Sequence, residues 1–238
     1  MTSHVDARRF HPARLVSRHD AGGGMTLVEV DPGRDVAETY LSPGQYAEVR
    51  VGGETGYFVL ASDPQAPAWH LVMRSGGAAD VLLRMSPGDE LEISDTIGPG
   101  FPMAIAGGRP LIVALSGTGV AAGRPLVGRR IAEGDAARTE VLLGARTRGE
   151  VAMERDIDAW VRAGVRVVVC LSQEDAVAEG TRYVRGYVQD VLKERAGRAA
   201  HALAGAFIFA VGMPSMVDAL RGLAPDLGLR PEDVLTNH

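Results

Sequence analysis

The sequence holds one cysteine, Cys170, in 238 residues. A lone cysteine excludes an internal disulfide and any metal cluster built on several thiolates of one chain. It closes the apolar run 165–171, which is the place of a small core residue and not of an exposed nucleophile. Uninterrupted apolar stretches are short, and none reaches the about 18 residues of a membrane span. The first eleven residues are polar and charged and lack the apolar centre of a secretory signal, so the expected location is the cytoplasm, with no membrane insertion. The six histidines, His4, His11, His19, His70, His201 and His238, show no metal-ligand spacing, and no metal is expected. No Ser-His-Asp or Cys-His arrangement for nucleophilic catalysis stands out either. A net charge of −5 argues against a general nucleic-acid or anionic-membrane binder. What remains is a globular chain with 46% apolar residues, long enough for one large domain or two small ones.

Against these absences, the segment 111–122 carries the most information. Its apolar, β-branched start reads as a strand buried on both faces, running through Gly117-Thr118-Gly119 into a helix. Such a turn brings bare backbone N–H groups and the positive end of a helix dipole to an anion, the usual way a parallel sheet holds a nucleotide phosphate. The common three-glycine dinucleotide fingerprint is incomplete, because Ala122 stands where its third glycine belongs, and Gly144-Ala145-Arg146 replaces the acidic residue expected after the next strand. The same turn also serves an ordinary strand-to-helix corner.

The chain changes character near residue 108. Before it, short alternating stretches at 25–30, 45–51, 69–74 and 90–93 are punctuated by glycine and proline, the pattern of an antiparallel barrel or sandwich. Ser42-Pro43-Gly44-Gln45 and Ser86-Pro87-Gly88-Asp89 each read as a turn leading into a strand. One helix is expected in this half, at 78–85, opened by Gly76-Gly77. After Pro110 strands are expected at 111–115, 140–144, 166–171 and 206–211, and helices at 119–133, 150–163, 184–196 and 214–223. That alternation implies a parallel sheet covered on both faces. The predicted fold class is therefore β followed by α/β: an antiparallel barrel over 1–105 and a nucleotide-binding α/β domain over 106–238, connected through 101–109.

At the level of residues this layout resembles the ferredoxin-NADP reductase superfamily. Ser116-Gly117-Thr118-Gly119-Val120-Ala121 is similar to that family's pyridine-nucleotide phosphate turn, with Ala122 where proline is usual. Leu143-Gly144-Ala145-Arg146 resembles the segment after its second strand, and Arg185-Gly186-Tyr187-Val188-Gln189 the helix flanking the adenosine. Val211-Gly212-Met213-Pro214-Ser215-Met216-Val217 resembles its Cys-Gly-x-x-x-Met-Val turn, with valine in place of cysteine. The resemblance implies a nicotinamide docked at Thr118 and Val211-Gly212-Met213, with ribose or adenine contacts from Ser172, Gln173, Tyr187 and Gln189. Without it, Pro214 is a good first residue for a helix and Tyr187 a packing position.

The barrel departs from the family pattern of an arginine, an aromatic and a hydroxyl facing the flavin. Aligned on Ala61-Ser62, this chain has Gly56 for the arginine, Phe58 for the aromatic and Val59 for the hydroxyl. The candidate flavin contacts are Phe58, Val59, Leu60, Ser62, Gly76, Gly77 and Ala78; the alternative for the aromatics is barrel packing. Losing the arginine is expected to loosen FAD, and Gly56→Arg to tighten it. Gly119→Val is expected to abolish nucleotide binding with the fold kept. Gln173-Glu174-Asp175 after Ser172 disfavours a 2′-phosphate and so favours NAD over NADP, unless Arg182 or Arg185 folds back to the pocket. The implied activity is hydride transfer between NAD(P)H and FAD, with electrons passing to an unnamed acceptor, which another protein could supply. The alternative is a regulatory or electron-transfer subunit that keeps the nucleotide half and has lost productive flavin.

Overall fold

The computed structural model describes residues 8–174, 182–199 and 203–237; His4, Asp175, His201 and His238 lie outside them. In chain order the elements are β1 (Phe10–Gly22), β2 (Met25–Asp31), α1 (Arg34–Ala37), β3 (Tyr46–Val51), β4 (Glu54–Val59), β5 (Trp69–Met73), α2 (Ala78–Leu82), β6 (Glu90–Ser94) and α3 (Met103–Ala106). Then follow β7 (Leu111–Ser116), α4 (Val120–Ala132), β8 (Thr139–Ala145), α5 (Glu154–Arg162), β9 (Arg166–Leu171), β10 (Tyr183–Arg185), α6 (Val188–Arg198), β11 (Phe207–Val211), α7 (Pro214–Leu223) and β12 (Val234–Leu235).

The first sheet is antiparallel in the order β4-β3-β6-β1-β2-β5, and an antiparallel bridge between Leu60 and Leu71 joins β4 to β5, closing it into a barrel. Inward residues such as Leu15, Val28, Val30, Val49, Leu71 and Ile93 fill its interior, as the period-two pattern requires. This half differs from the sequence reading in β1, in α1 and in the four-residue α3, which stands within the expected connection. The 13-residue β1 was not expected, because few of its side chains are buried and bulges interrupt its pairing with β2; neighbours, not an apolar pattern, make it a strand. Helix α1 was also missed: four residues burying only Val36 leave no periodicity to read.

The second sheet is parallel, order β10-β9-β8-β7-β11-β12. Alternation along β7 divides the core: Leu111, Val113 and Leu115 face α4 and α5, while Ile112 and Ala114 face α6 and α7. The barrel joins the first of these layers, since Met25, Ala61 and Val72 belong to the same apolar cluster as Val113 and Leu115. Phe101, at the connection, stacks on Phe209 with ring centroids 4.4 Å apart. Two predicted helices start later than expected. At 150–153 the backbone instead meets the β1–β2 hairpin, Met153 N–H donating to the Ala21 carbonyl at 2.6 Å. At 183–185 the chain adds edge strand β10, and Gly186, with φ +112°, turns it into α6. No described helix is long and apolar enough to cross a membrane.

Polar contacts fix the halves to each other. Arg124 of α4 donates to His70 Nδ1 at 2.9 Å and pairs with Asp156 at 3.0 Å. Burial, and then the Arg124 charge, hold the His70 imidazole below its ordinary pKa, so the neutral ring is the acceptor in this contact. Arg130, fully buried, pairs with Asp135 at 2.8 Å and donates to the carbonyls of Ala106 and Arg109, while Asp135 takes the Gly108 N–H. One ion pair thus satisfies the backbone of the connection between the sheets. Removing one partner of a buried pair leaves the other charge and these carbonyls without compensation, so Arg130→Ala is expected to lose about 3–5 kcal/mol of stability. Denaturant unfolding measures this; a variant within about 0.5 kcal/mol of the parent contradicts the role.

Candidate functional site

In the second sheet the chain leaves β7 toward β8, β9 and β10, then returns to place β11 on β7's other side. The crevice beyond the carboxyl ends of β7 and β11 is where an open α/β sheet binds its ligand. Two turns meet there. A Cβ on Gly119 would lie 2.4 Å from the Val211 carbonyl oxygen, and one on Gly212, whose φ is +147°, 2.0 Å from Ser116 Oγ. Ser116 Oγ accepts the Met213 N–H at 3.1 Å and locks the crossing. Gly117 is the opposite case: its φ is +56° and a Cβ would meet nothing within 4 Å, so its space faces the crevice.

The crevice divides into two cavities of about 670 Å³ each. The first lies over the strand ends and is walled by Gly117, Val120, Gly144, Ala145, Arg146, Ser172, Tyr187, Gln189 and Met213. The second lies between barrel and sheet, walled by Gly56, Phe58, Val59, Gly76, Gly77, Ala78, Thr118, Gly119, Val211 and Gly212. Ser116, Gly117, Met213 and Arg74 border both, so the cavities meet at the turn crossing. Of the sequence-derived candidates, Leu60, Ser62, Ala121, Gln173 and Pro214 line neither. Leu60 and Ala121 are core, 0% and 1% exposed, and Ser62 is buried with its carbonyl accepting the Tyr40 hydroxyl. Gln173 is exposed, its N–H bonded to the Arg146 carbonyl.

The charges of the first cavity are largely committed. Arg146 is held by Glu150 through two bonds, at 2.8 and 2.6 Å, and the Glu174 carboxylate accepts the Arg148 N–H at 2.6 Å. Arg182 pairs with Asp158 at 2.5 Å and, like Arg185, is not on the cavity wall. Cys170 lies at the floor of this cavity; burial pushes its thiol up to about 12, so it stays a neutral core group. Arg74, after the last residue of β5, was missed in the sequence because a charged residue at a strand end carries no motif of its own. It makes no hydrogen bond or ion pair with other described residues and borders both cavities.

For a flavin ring, the second cavity supplies Phe58, Val59, Val72, Met73 and Val211 as an apolar wall, which fits a planar conjugated ligand. The expected rescue by Gly56→Arg does not fit the geometry. A Cβ at Gly56 would lie 2.9 Å from the Phe58 ring and 3.0 Å from Ala78, so a long side chain there displaces the ring itself.

Comparison with known proteins agrees with this architecture. Residues 113–222 match the oxidoreductase NAD-binding domain family. Over 226 residues the chain is 26% identical to fruit protein pKIWI502 of Actinidia deliciosa, covering 88% of this chain and 70% of that protein. Over 186 residues it is 27% identical to ferredoxin-NADP reductase B of Sorangium cellulosum, 73% of each being covered. A ferredoxin NADP+ reductase from Neisseria gonorrhoeae, solved with FAD and NADP bound, superposes with a TM-score of 0.77 at 13% identity, over 95% of this chain and 97% of that one. The chain therefore shares the two-domain fold of the ferredoxin reductase structures it superposes on, and within it residues 113–222 match the oxidoreductase NAD-binding domain family.

The two turn glycines separate packing from ligand space, and this reverses the expectation that Gly119→Val spares the fold. Gly119→Ala alone is expected to lose about 1–3 kcal/mol, because its methyl meets fixed backbone. Gly117→Ala carries a left-handed backbone penalty of about 1–2 kcal/mol and places its methyl where a phosphate would approach. Thermal unfolding and NADH titration of both variants test this. Equal stability of Gly119→Ala and the parent, or unchanged NADH affinity in Gly117→Ala, contradicts the assignment.

Proposed function

We propose that this protein is an NAD(P)H-dependent flavin oxidoreductase: the nucleotide occupies the cavity over the strand ends, a flavin ring the barrel cleft, and hydride passes between them. FAD is the form the family resemblance implies. The carrying observation is that the two cavities share Ser116, Gly117, Met213 and Arg74, so ligands filling both meet the same four residues. When bound, the flavin supplies the hydride acceptor, and the protein's task is to align the reacting atoms and exclude water.

Each residue then has a physical part. The N–H groups opening the Gly117-Thr118-Gly119 turn have no carbonyl one turn earlier to bond and are free for a pyrophosphate. Arg74, whose charge also acts on the Glu150 carboxylate, adds a cation. Tyr187 and Gln189 offer a ring face and an amide to the adenosine end. The nicotinamide lies at Thr118 and Val211–Met213, against the border with Phe58. Anaerobic mixing of NADH with protein and oxidised flavin is expected to bleach the visible flavin band at a rate saturating in NADH; no bleaching contradicts the reading. Arg74→Ala is expected to weaken NADH binding about tenfold, the scale of one charge-assisted phosphate contact.

NAD is favoured over NADP. Arg146, the arginine beside the adenosine end, is bound to Glu150, so a 2′-phosphate there meets a carboxylate and an already committed cation. Glu150→Gln frees Arg146 and is expected to shift preference toward NADPH by roughly twofold to fivefold, a small effect because solvent screens the exposed pair. Parallel NADH and NADPH titrations at one ionic strength measure the shift. A parent that prefers NADPH contradicts this selectivity.

A further inference from the structure

We infer that the flavin is an exchangeable substrate, recognised by its ring and its neutral ribityl chain, with the diphosphate of FAD left ungripped. The inference rests on the proposed reductase reading and names the substrate of that same cleft. A prosthetic FAD needs its anionic diphosphate held as firmly as its ring, and charge-assisted bonds from a cation are the strongest available means. Among the described residues walling the barrel cleft, Arg74 is the only charged one. It stands on the border with the nucleotide cavity, its Nη1 comes within 3.5 Å of where a Cβ on Gly24 would be, and its charge acts on Glu150, so its guanidinium lies by the β1–β2 turn. The arginines beside β3 and β4 are already taken. Arg8 is bound to Glu48 and to the Tyr57 hydroxyl, and Arg50 lies on the Phe10 ring near Glu48.

Behind the glycine loop of the cleft wall, the nearest charge on α2 is of the wrong sign. Asp80 sits in the first turn of α2, and its carboxylate accepts the Gly76 N–H at 3.0 Å. It caps the glycine loop that lines the cleft, satisfying one of that loop's donors and repelling a phosphate placed there. Gly56 cannot be replaced by a cation without moving Phe58. A neutral ring and hydroxylated chain meet none of these penalties.

The reaction then balances without a further protein. The nicotinamide C4–H bond breaks, its hydride forms an N–H bond at flavin N5, and a proton from water goes to N1. NAD(P)H, a proton and oxidised flavin give NAD(P)+ and dihydroflavin, which leaves the cleft carrying both electrons.

Fluorescence titration of the purified full chain with riboflavin, FMN and FAD at one ionic strength tests the inference. Riboflavin is expected to bind as tightly as FAD or up to about tenfold tighter. Asp80→Asn, checked for folding by circular dichroism, is expected to tighten FAD by about threefold to tenfold and to leave riboflavin unchanged. FAD bound tenfold or more tighter than riboflavin, or copurifying at one per chain, overturns the inference and leaves the reductase reading standing. Failure of all three flavins to bind overturns both.

Discussion

Ser116 Oγ accepts the Met213 N–H at 3.1 Å, and the cleft depends on the closeness of the two turns that this bond joins. The turns after β7 and β11 cross with backbone where side chains would ordinarily stand: the Val211 carbonyl fills the space a Cβ on Gly119 would need, and Ser116 that of Gly212. Interiors at this density do not yield by fractions of an ångström. The crossing therefore fixes where the N–H groups of Gly117 and Thr118 point, where Met213 emerges into solvent, and where one cavity ends and the other begins. A cofactor pair that exchanges hydride, as proposed above, needs its reacting atoms held at contact distance, and a fixed border between two cavities suits that requirement.

The second requirement is that the barrel keep its place against the sheet. No single contact does this. Met25, Ala61 and Val72 enter the apolar layer of the parallel sheet, Phe101 stacks on Phe209, and the hairpin after β1 bonds to Met153. Arg130 holds the connecting segment by its carbonyls. These contacts are distributed over both ends of the interface, which suits a cleft whose two walls belong to different sheets.

Much of this was legible in the sequence where physics leaves a periodic or stereochemical trace. The strands 111–116, 139–145, 166–171 and 207–211 are buried on both faces and read as apolar runs; the turn glycines read as a crevice. The legible part of the site was backbone. What escaped lacks such a trace. β1 is a strand by pairing, with few of its side chains buried, and the start of α5 is set by a hairpin over a hundred residues away. Arg74 is one arginine among many until the fold brings it between two cavities. The charge argument for NAD rested on Glu174, which lines neither cavity and accepts the Arg148 N–H, whereas Glu150, which holds Arg146, became visible only once the turn after β8 was folded. Gly119 misled in another way: a glycine near a phosphate turn reads as ligand space, whereas here it is space for another strand's carbonyl.

The central claim is that one crevice, divided at the turn crossing, takes a nicotinamide nucleotide on one side and a flavin ring on the other. A crystal structure of the protein with NAD+ bound tests it most directly. The account predicts pyrophosphate over Gly117, adenosine against Tyr187 and Gln189, and the nicotinamide at Thr118 and Met213 facing the Phe58 side of the border. A nucleotide seated outside both cavities, or with its adenine in the barrel cleft, would contradict it.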